Sequence, residues 1–105
     1  MVGEKTIREA VDRLLRAAPG STVILFGSYA RGQASEQSDL DFLVVEPQVS
    51  DVIAEMVRLR QVLADLPAAV DLLVVSRERF EYWRDTPNTV ISRAAREGTA
   101  YEPVG

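Results

Sequence analysis

The chain has 105 residues, of which 47% are hydrophobic and 27% charged, proportions typical of an ordinary globular domain. It contains neither cysteine nor histidine, which excludes a disulfide framework, a thiol nucleophile, a histidine base and a zinc site with nitrogen or sulfur ligands. Its net charge of −4 argues against a broad nucleic-acid-binding surface. Because it also lacks a signal peptide and a membrane-spanning apolar run, we expect one cytoplasmic domain, residues 1–105.

The first half of the chain predicts one helix and two strands. Thr6 and Glu9 form a Thr-x-x-Glu pattern, which predicts a capping box at the start of a helix that ends at Pro19. The apolar run 22–26 predicts a buried strand, and 40–45 predicts a second one after a stretch of small and polar residues.

The next segment predicts a helix, a strand and a short helix. Ser50 or Asp51 can cap a helix that ends before Pro67, and the apolar run 70–75 predicts a third strand. A short helix over 77–84 then follows.

The last helix is expected to place Pro87 at its first position and to end at Gly98 in a left-handed turn. Arg93 and Arg96 lie near its C-terminus, where positive charge is favourable. Three apolar strands alternating with helices indicate an α/β or α+β sandwich with a small sheet, and composition leaves the strand directions open.

Small residues and acids follow or begin the predicted strands. Gly27 lets the backbone approach a ligand closely, and Ser28 adds a hydroxyl, although such a pair is most often a simple turn. Asp39 and Asp41 share one face of the second strand, where they are either two surface acids or a cation site. Asp71 begins the third strand, either as an exposed end, in an ion pair with an arginine such as Arg31, or as a metal ligand.

Together these residues are the parts that a two-metal phosphoryl transferase needs. Mg²⁺ takes oxygen ligands, so aspartates and nucleotide phosphates suffice to hold it without histidine. If Gly27 serves mainly to admit a phosphate, Gly27→Val should abolish nucleotide binding while leaving thermal unfolding nearly unchanged.

The string Gly-Ser-Tyr-Ala-Arg-Gly, six residues, then Ser-Asp-Leu-Asp-Phe-Leu-Val-Val resembles the signature of the DNA polymerase β-type nucleotidyltransferase superfamily. It is most similar to the minimal nucleotidyltransferase branch, the antitoxins of HEPN/MNT toxin–antitoxin pairs. This resemblance implies a small mixed sheet packed with helices. It also implies that Gly27 and Ser28 bind the phosphates of ATP, and that Asp39, Asp41 and Asp71 are catalytic and hold two Mg²⁺ ions. Arg31 is either the cation for the triphosphate or a surface residue.

The resemblance further implies an antitoxin that transfers AMP from ATP to a tyrosine hydroxyl of a HEPN-domain ribonuclease toxin. We expect that toxin to be a separate chain, with no membrane or direct nucleic-acid partner, in a homo- or hetero-oligomer. Two alternatives stay open: an antitoxin that neutralises its partner by contact alone, and an adenylyltransferase for a small molecule such as an antibiotic.

Overall fold

A four-stranded mixed sheet with helices on both faces forms the frame of the computed structural model, which describes residues 2–103. In chain order the elements are α1 (Glu4–Ala17), β1 (Thr22–Phe26), β2 (Leu40–Glu46), α2 (Val52–Val62), β3 (Val70–Ser76), α3 (Arg77–Trp83), α4 (Val90–Glu97) and β4 (Thr99–Tyr101). The strand order across the sheet is β3-β2-β1-β4. β1 is antiparallel to both β2 and β4, whereas β2 and β3 run parallel, so the sheet is mixed.

Alternating side chains give each face of the sheet its own core. On one face, Phe42 and Val44 of β2 pack with α1 and α2, and the fully buried Leu14 and Leu59 are the contributions of those helices. The other face carries a smaller core, to which α3 contributes Phe80 and α4 contributes Ala94. This second core includes Phe26, the register partner of Asp41, and Asp41 beside it is only partly buried.

The three predicted strands are confirmed, and β2 and β3 each extend one residue beyond the predicted end. The fourth strand, β4, was not predicted. Its three residues include two exposed ones and carry no apolar run, so its pairing with β1 defines it rather than its own composition.

Two predicted features near helix starts are wrong. α1 begins at Glu4 with Gly3 as an N-cap that makes no side-chain hydrogen bond, so the predicted Thr6 capping box does not form. α4 begins at Val90, where the Thr89 hydroxyl accepts a hydrogen bond from the Ser92 amide at 3.0 Å. Pro87 therefore lies in the preceding turn. Of the two candidate caps for α2, Asp51 is the one that caps the helix, and the Ser76 hydroxyl caps α3.

Gly98 ends α4 as predicted, but not in a left-handed conformation, since its φ is −79°. Its lack of a side chain matters for packing instead. A Cβ at Gly98 would overlap the side chain of Ile24 and lie 3.0 Å from the carbonyl oxygen of Leu25. Glycine thus lets the end of α4 pack directly against β1. Within residues 2–103, none of the helices has the length and apolar character needed to cross a bilayer.

Candidate functional site

Gly27 follows β1 directly and brings its backbone against an acidic side chain. It is buried, and its φ of +76° lies in the left-handed region that disfavours residues with a side chain. A Cβ built on Gly27 would overlap Oδ2 of Asp41 and lie 3.1 Å from its Cγ. Gly27 is therefore required by the fold itself. The expectation that Gly27→Val would leave thermal unfolding nearly unchanged is wrong on this geometry.

The residues after Gly27 form a compact turn. The Arg31 amide donates to the Gly27 carbonyl at 3.1 Å, and the Gln33 amide donates to the Ser28 carbonyl at 2.9 Å. The Tyr29 hydroxyl accepts a hydrogen bond from the amide of Val2 at 2.8 Å, which ties the turn to the start of the chain. Ser28 and Arg31 are thus carried by a hydrogen-bonded turn beside the end of β1.

Sheet register places Asp41 of β2 between the last residue of β1 and Asp71 of β3. Asp41 is the antiparallel partner of Phe26 and the parallel partner of Asp71. Register partners on neighbouring strands share a face, and Asp39, two residues before Asp41, is expected on that face as well. We call Asp39, Asp41 and Asp71 the aspartate cluster. The structure therefore brings Asp41 and Asp71 together at one end of the sheet, with the charge of Asp39 close to Asp41, and it places Asp41 against Gly27.

The electrostatics of Asp41 reflect this crowding. Burial raises the pKa of the Asp41 carboxyl, and the negative charges of Asp71 and Asp39 raise it further. The positive charges of Arg31 and Arg93 lower this pKa, without cancelling the rise. Arg93 was predicted only as a favourable charge near a helix end. The charge of Arg93 acts on Asp41 because α4 packs over this face of the sheet. Nothing in the sequence around Arg93 indicates this packing.

Arg31 is held by the far end of α4. Its guanidinium Nη1 lies 3.3 Å from Oε2 of Glu97, and both side chains are partly exposed. Among residues 2–103, Arg31 forms its ion pair with Glu97 rather than with Asp71. Asp71 is exposed at the start of β3. Arg31 is therefore near the aspartate cluster and held on the α4 side.

The donor chemistry of the aspartate cluster fits a hard divalent cation, which prefers carboxylate oxygens, phosphates and water. In this conformation, no group of three or more acidic side chains among residues 2–103 is arranged to hold one metal ion. Asp39 and Asp71 are exposed, so rotation of their side chains can turn their oxygens toward Asp41. A cation there would also relieve the repulsion that raises the Asp41 pKa.

A cavity of about 440 Å³ borders the cluster at Asp39. It lies between the turn that precedes β2 and the segment 67–69 that precedes β3. The turn is closed by Ser38, whose hydroxyl accepts a hydrogen bond from the Ser35 amide at 2.9 Å. Of the three acids of the aspartate cluster, Asp39 is the one that lines this cavity.

Comparison with known proteins gives this arrangement a family. Residues 4–99 match the nucleotidyltransferase domain family. Over 79 residues the chain is 35% identical to a protein of Methanocaldococcus jannaschii that bears the provisional name protein adenylyltransferase MJ0604, with 73% of this chain and 77% of that protein covered.

Two crystal structures of the toxin–antitoxin MntA-HpeT, of different mutants, are similar in fold. Their TM-scores are 0.63 and 0.62, and their identities to this chain are 24% and 25%. The matches cover 97% and 99% of this chain and 75% of each of those chains. The extent of the family match and the identity to the archaeal relative lead to one conclusion: this chain belongs to the nucleotidyltransferase domain family and is a nucleotidyltransferase.

Proposed function

We propose that this nucleotidyltransferase transfers AMP from ATP to a hydroxyl group of a partner protein. The observation that carries the proposal is the contact between Gly27 and Asp41, with Asp71 next in register. This contact puts a backbone suited to phosphates directly against the acids suited to a divalent cation. A simple turn after β1 would not require its glycine to accommodate a carboxylate from another strand.

Each predicted residue has a role in this proposal. Gly27 and Ser28 contact the β- and γ-phosphates, and Arg31 supplies positive charge to the triphosphate after leaving Glu97. Asp39, Asp41 and Asp71 hold Mg²⁺, in two ions as the sequence resemblance implies. When bound, Mg²⁺ lowers the pKa of the acceptor hydroxyl and neutralises phosphate charge.

The transfer itself is a displacement at the α-phosphorus. The acceptor oxygen forms a bond to that phosphorus, the bond to the β-phosphate oxygen breaks, and pyrophosphate leaves. Asp71 is exposed beside Asp41 and can accept the proton that the hydroxyl loses. The acceptor therefore becomes an AMP ester, and no redox change is involved.

The acceptor class is supported by the relatives. One is named a protein adenylyltransferase, and the two structural neighbours are toxin–antitoxin proteins. We therefore take the acceptor to be a toxin protein. The sequence resemblance narrows this to a tyrosine of a HEPN-domain ribonuclease, which AMP addition would inactivate.

The test uses the wild-type chain and the Asp39→Asn/Asp41→Asn variant. Each is incubated with ATP, Mg²⁺ and a HEPN-domain protein that carries an Arg-x-x-x-x-His motif, which is sought first in the adjacent gene. Intact mass spectrometry then measures AMP on that protein, and an RNA-cleavage assay measures its activity. A matched control, Asp12→Asn/Asp85→Asn, removes the same charge at exposed positions on α1 and after α3.

Wild type and control should add AMP and silence the ribonuclease, while the cluster variant should lose transfer by orders of magnitude. Silencing without added mass would favour neutralisation by contact alone. Transfer to an antibiotic but to no protein would favour the small-molecule alternative. ATP binding measured by calorimetry in Mg²⁺ and in chelator tests the metal separately, and equal affinities would count against it.

A further inference from the structure

The outer edge of β3 carries backbone groups that have no partner strand. In the order β3-β2-β1-β4, which covers residues 2–103, β3 is paired with β2 alone. The Leu40 amide donates to the Ala69 carbonyl, so the odd-numbered residues along β3 direct their backbone groups toward β2. The alternate residues Val70, Leu72 and Val74 therefore point their N–H and C=O groups outward, away from the sheet.

Strand β3 lacks the features that usually protect a free edge from pairing. Edge strands of natural proteins are commonly very short or interrupted by a bulge, and many carry lysine or proline. β3 has 7 residues, contains neither lysine nor proline, and keeps one register with β2 along its whole length. Asp71 is its one charged residue, and the Asp71 side chain projects from a face of the sheet rather than from the edge. This edge is therefore suited to the addition of another strand.

An apolar row on α2, formed by Ile53 and Val57, lies beside this edge. The two side chains are one helical turn apart, and they are 69% and 51% exposed. Arg58 donates to the carbonyl of Ala17 at the end of α1, and Leu59 is fully buried against the sheet. At about 100° per residue, Ile53 is therefore on the side of α2 away from α1. Because α1 contacts β1 and α2 contacts β3, that side is the side of the free edge.

Helix α2 also carries opposite charges at its two ends. Arg60 lies in the last turn and Asp51 is the N-cap, and both side chains are exposed. Within residues 2–103, neither belongs to an ion pair. In an antiparallel pair of α2 helices that sets Ile53 of one opposite Val57 of the other, Arg60 falls beside Asp51 of the second helix. This side of α2 is therefore complementary to itself in apolar contact and in charge.

We propose that β3 and α2 together bind a second copy of this chain across a two-fold axis perpendicular to the sheet. The two β3 strands then run antiparallel and join the two sheets into one, which gives partners to the outward N–H and C=O groups of Leu72 and its neighbours. The two α2 helices also run antiparallel, with Ile53 against Val57 and Arg60 beside Asp51.

The spacing of these elements permits both contacts at once. α2 packs over β2 and β3, because Leu59 shares a core with Phe42 and Leu72. Neighbouring strands are about 4.8 Å apart, so a helix over that strand pair has its axis about 5 Å from the proposed two-fold axis. The two α2 helices are then about 10 Å apart, a normal distance for packed helices. Asp41 and Asp71 project from the opposite face, so the inference does not depend on the proposed transfer reaction.

Sedimentation equilibrium of the full chain, from about 10 µM to about 1 mM, measures the association. The contact consists of one strand edge and one helix face, so we expect a monomer–dimer equilibrium with a Kd of about 10–100 µM. Ile53→Glu and Val57→Glu bury a charge in the apolar row, and each should weaken the dimer at least about tenfold. Val90→Glu, at an exposed valine on α4, is the matched control and should leave the Kd unchanged.

A double-mutant cycle tests the pairing of Arg60 with Asp51. Arg60→Gln and Asp51→Asn each remove one charge, and asparagine keeps the N-cap of α2. Each substitution should weaken the dimer about threefold, and the double variant should be no weaker than either one alone. Additive losses would overturn the antiparallel placement of α2.

Amide hydrogen exchange, read by NMR on the wild type and on Val57→Glu at about 1 mM, tests the strand pairing. The outward amides of Leu72 and Val74 should exchange at least about tenfold more slowly in the wild type, since pairing protects them. The inward amides of Leu73 and Val75 are the internal control and should be protected equally in both proteins, because they face β2.

A monomer at every concentration up to about 1 mM overturns the proposal and leaves this surface to a different protein. A dimer that persists unchanged in Ile53→Glu and Val57→Glu also overturns it, because another surface then joins the two copies. Equal exchange of the Leu72 and Val74 amides in the wild type and in Val57→Glu refutes the strand pairing. Thermal unfolding checks that each variant is folded, as expected for substitutions at exposed positions.

Discussion

Strand β2 carries an acid beside a second acid at each of its two ends. At its start, Asp41 lies next to Asp71, and at its end, Glu46 lies next to Glu55. In both places burial and a neighbouring carboxylate raise a pKa. The difference is the counter-ion. Glu55 has Arg58 on both carboxylate oxygens, whereas Arg31, near Asp41, is paired with Glu97 instead.

This difference separates an acid that stabilises the fold through an ion pair from an acid that has no close positive charge. Hydrogen bonds from Arg58 and from the Glu46 carboxyl lower the pKa of Glu55 to about 2, so that carboxylate is more stable in the folded chain than in the unfolded one. Asp41 gains no such close partner, and its charge is a cost to the fold. Such a cost is expected under the proposed function, because a bound metal ion would supply the missing positive charge.

The largest expected effect concerns the contact between Gly27 and Asp41. Gly27→Ala adds left-handed strain and an overlap with a carboxylate, for a loss of about 2–4 kcal/mol in the free energy of unfolding. Gly32→Ala is the matched control, because Gly32 also has a positive φ, of +70°, but has no atom within 4 Å of a built Cβ. It should lose about 1 kcal/mol.

Urea unfolding of both variants measures this difference. In an Asp41→Ala background the overlap disappears, so the cost of Gly27→Ala should fall to that of Gly32→Ala. Equal losses at both glycines in the wild-type background would show that the Asp41 contact has no energetic weight.

The next effect is a change in the free energy of unfolding that has opposite signs at the two ends of β2. Glu55→Gln removes the charge that Arg58 holds and should destabilise the fold by about 1–2 kcal/mol, less than a fully buried pair because Arg58 is half exposed. Asp41→Asn removes repulsion and should stabilise the fold by a few tenths of a kcal/mol, allowing for solvent screening. Thermal or urea unfolding at neutral pH measures both. Destabilisation by both substitutions would show that the acids at the two ends of β2 do not differ in this way.

A smaller effect is the pH dependence of the free energy of unfolding that Glu46 contributes. Its side chain lines a cavity at the end of β2 together with Glu55, Arg58 and Asp51. Its pKa rises from 4.5 to about 7 on folding, so its contribution to stability is full below about pH 4.5 and is lost as the pH rises to about 7. Between about pH 5 and pH 8 this rise corresponds to about 2–3 kcal/mol, which solvent screening near the surface lowers to about 1 kcal/mol for the wild type relative to Glu46→Gln. Parallel pH profiles would contradict the assignment, and Glu78→Gln should follow the wild type.

Much of the fold could be predicted because its strands are apolar runs bounded by glycine or proline. The run 22–26 is such a segment, and its predicted bounds are those of β1. β4 could not be predicted because pairing with β1 creates it. The Thr6 pattern failed because a capping box is a local preference, and α1 gains three more helical residues by starting at Glu4.

Strand spacing could predict that the acids share one face of the sheet, but the contacts between them could not be predicted. Spacing puts Asp39 and Asp41 on one face of a strand. The close approach of Gly27 to Asp41, however, depends on the antiparallel register of two strands. Arg93 and Glu97 come from a helix more than sixty residues after Gly27. Glu46, next to Pro47, has the sequence of an ordinary strand end, and only packing against α2 buries it.

The smallest effect tests whether Glu97 withholds Arg31 from the triphosphate. The ion pair is 37–40% exposed, so Glu97→Gln should change the free energy of unfolding by less than about 0.5 kcal/mol. It also removes a negative charge near the phosphates, so ATP with Mg²⁺ should bind about threefold tighter by calorimetry. Arg31→Ala should weaken that binding, and Glu102→Gln is the control for charge alone. If Glu97→Gln instead weakens ATP binding as Arg31→Ala does, Glu97 orients Arg31 for the phosphates rather than competing with them.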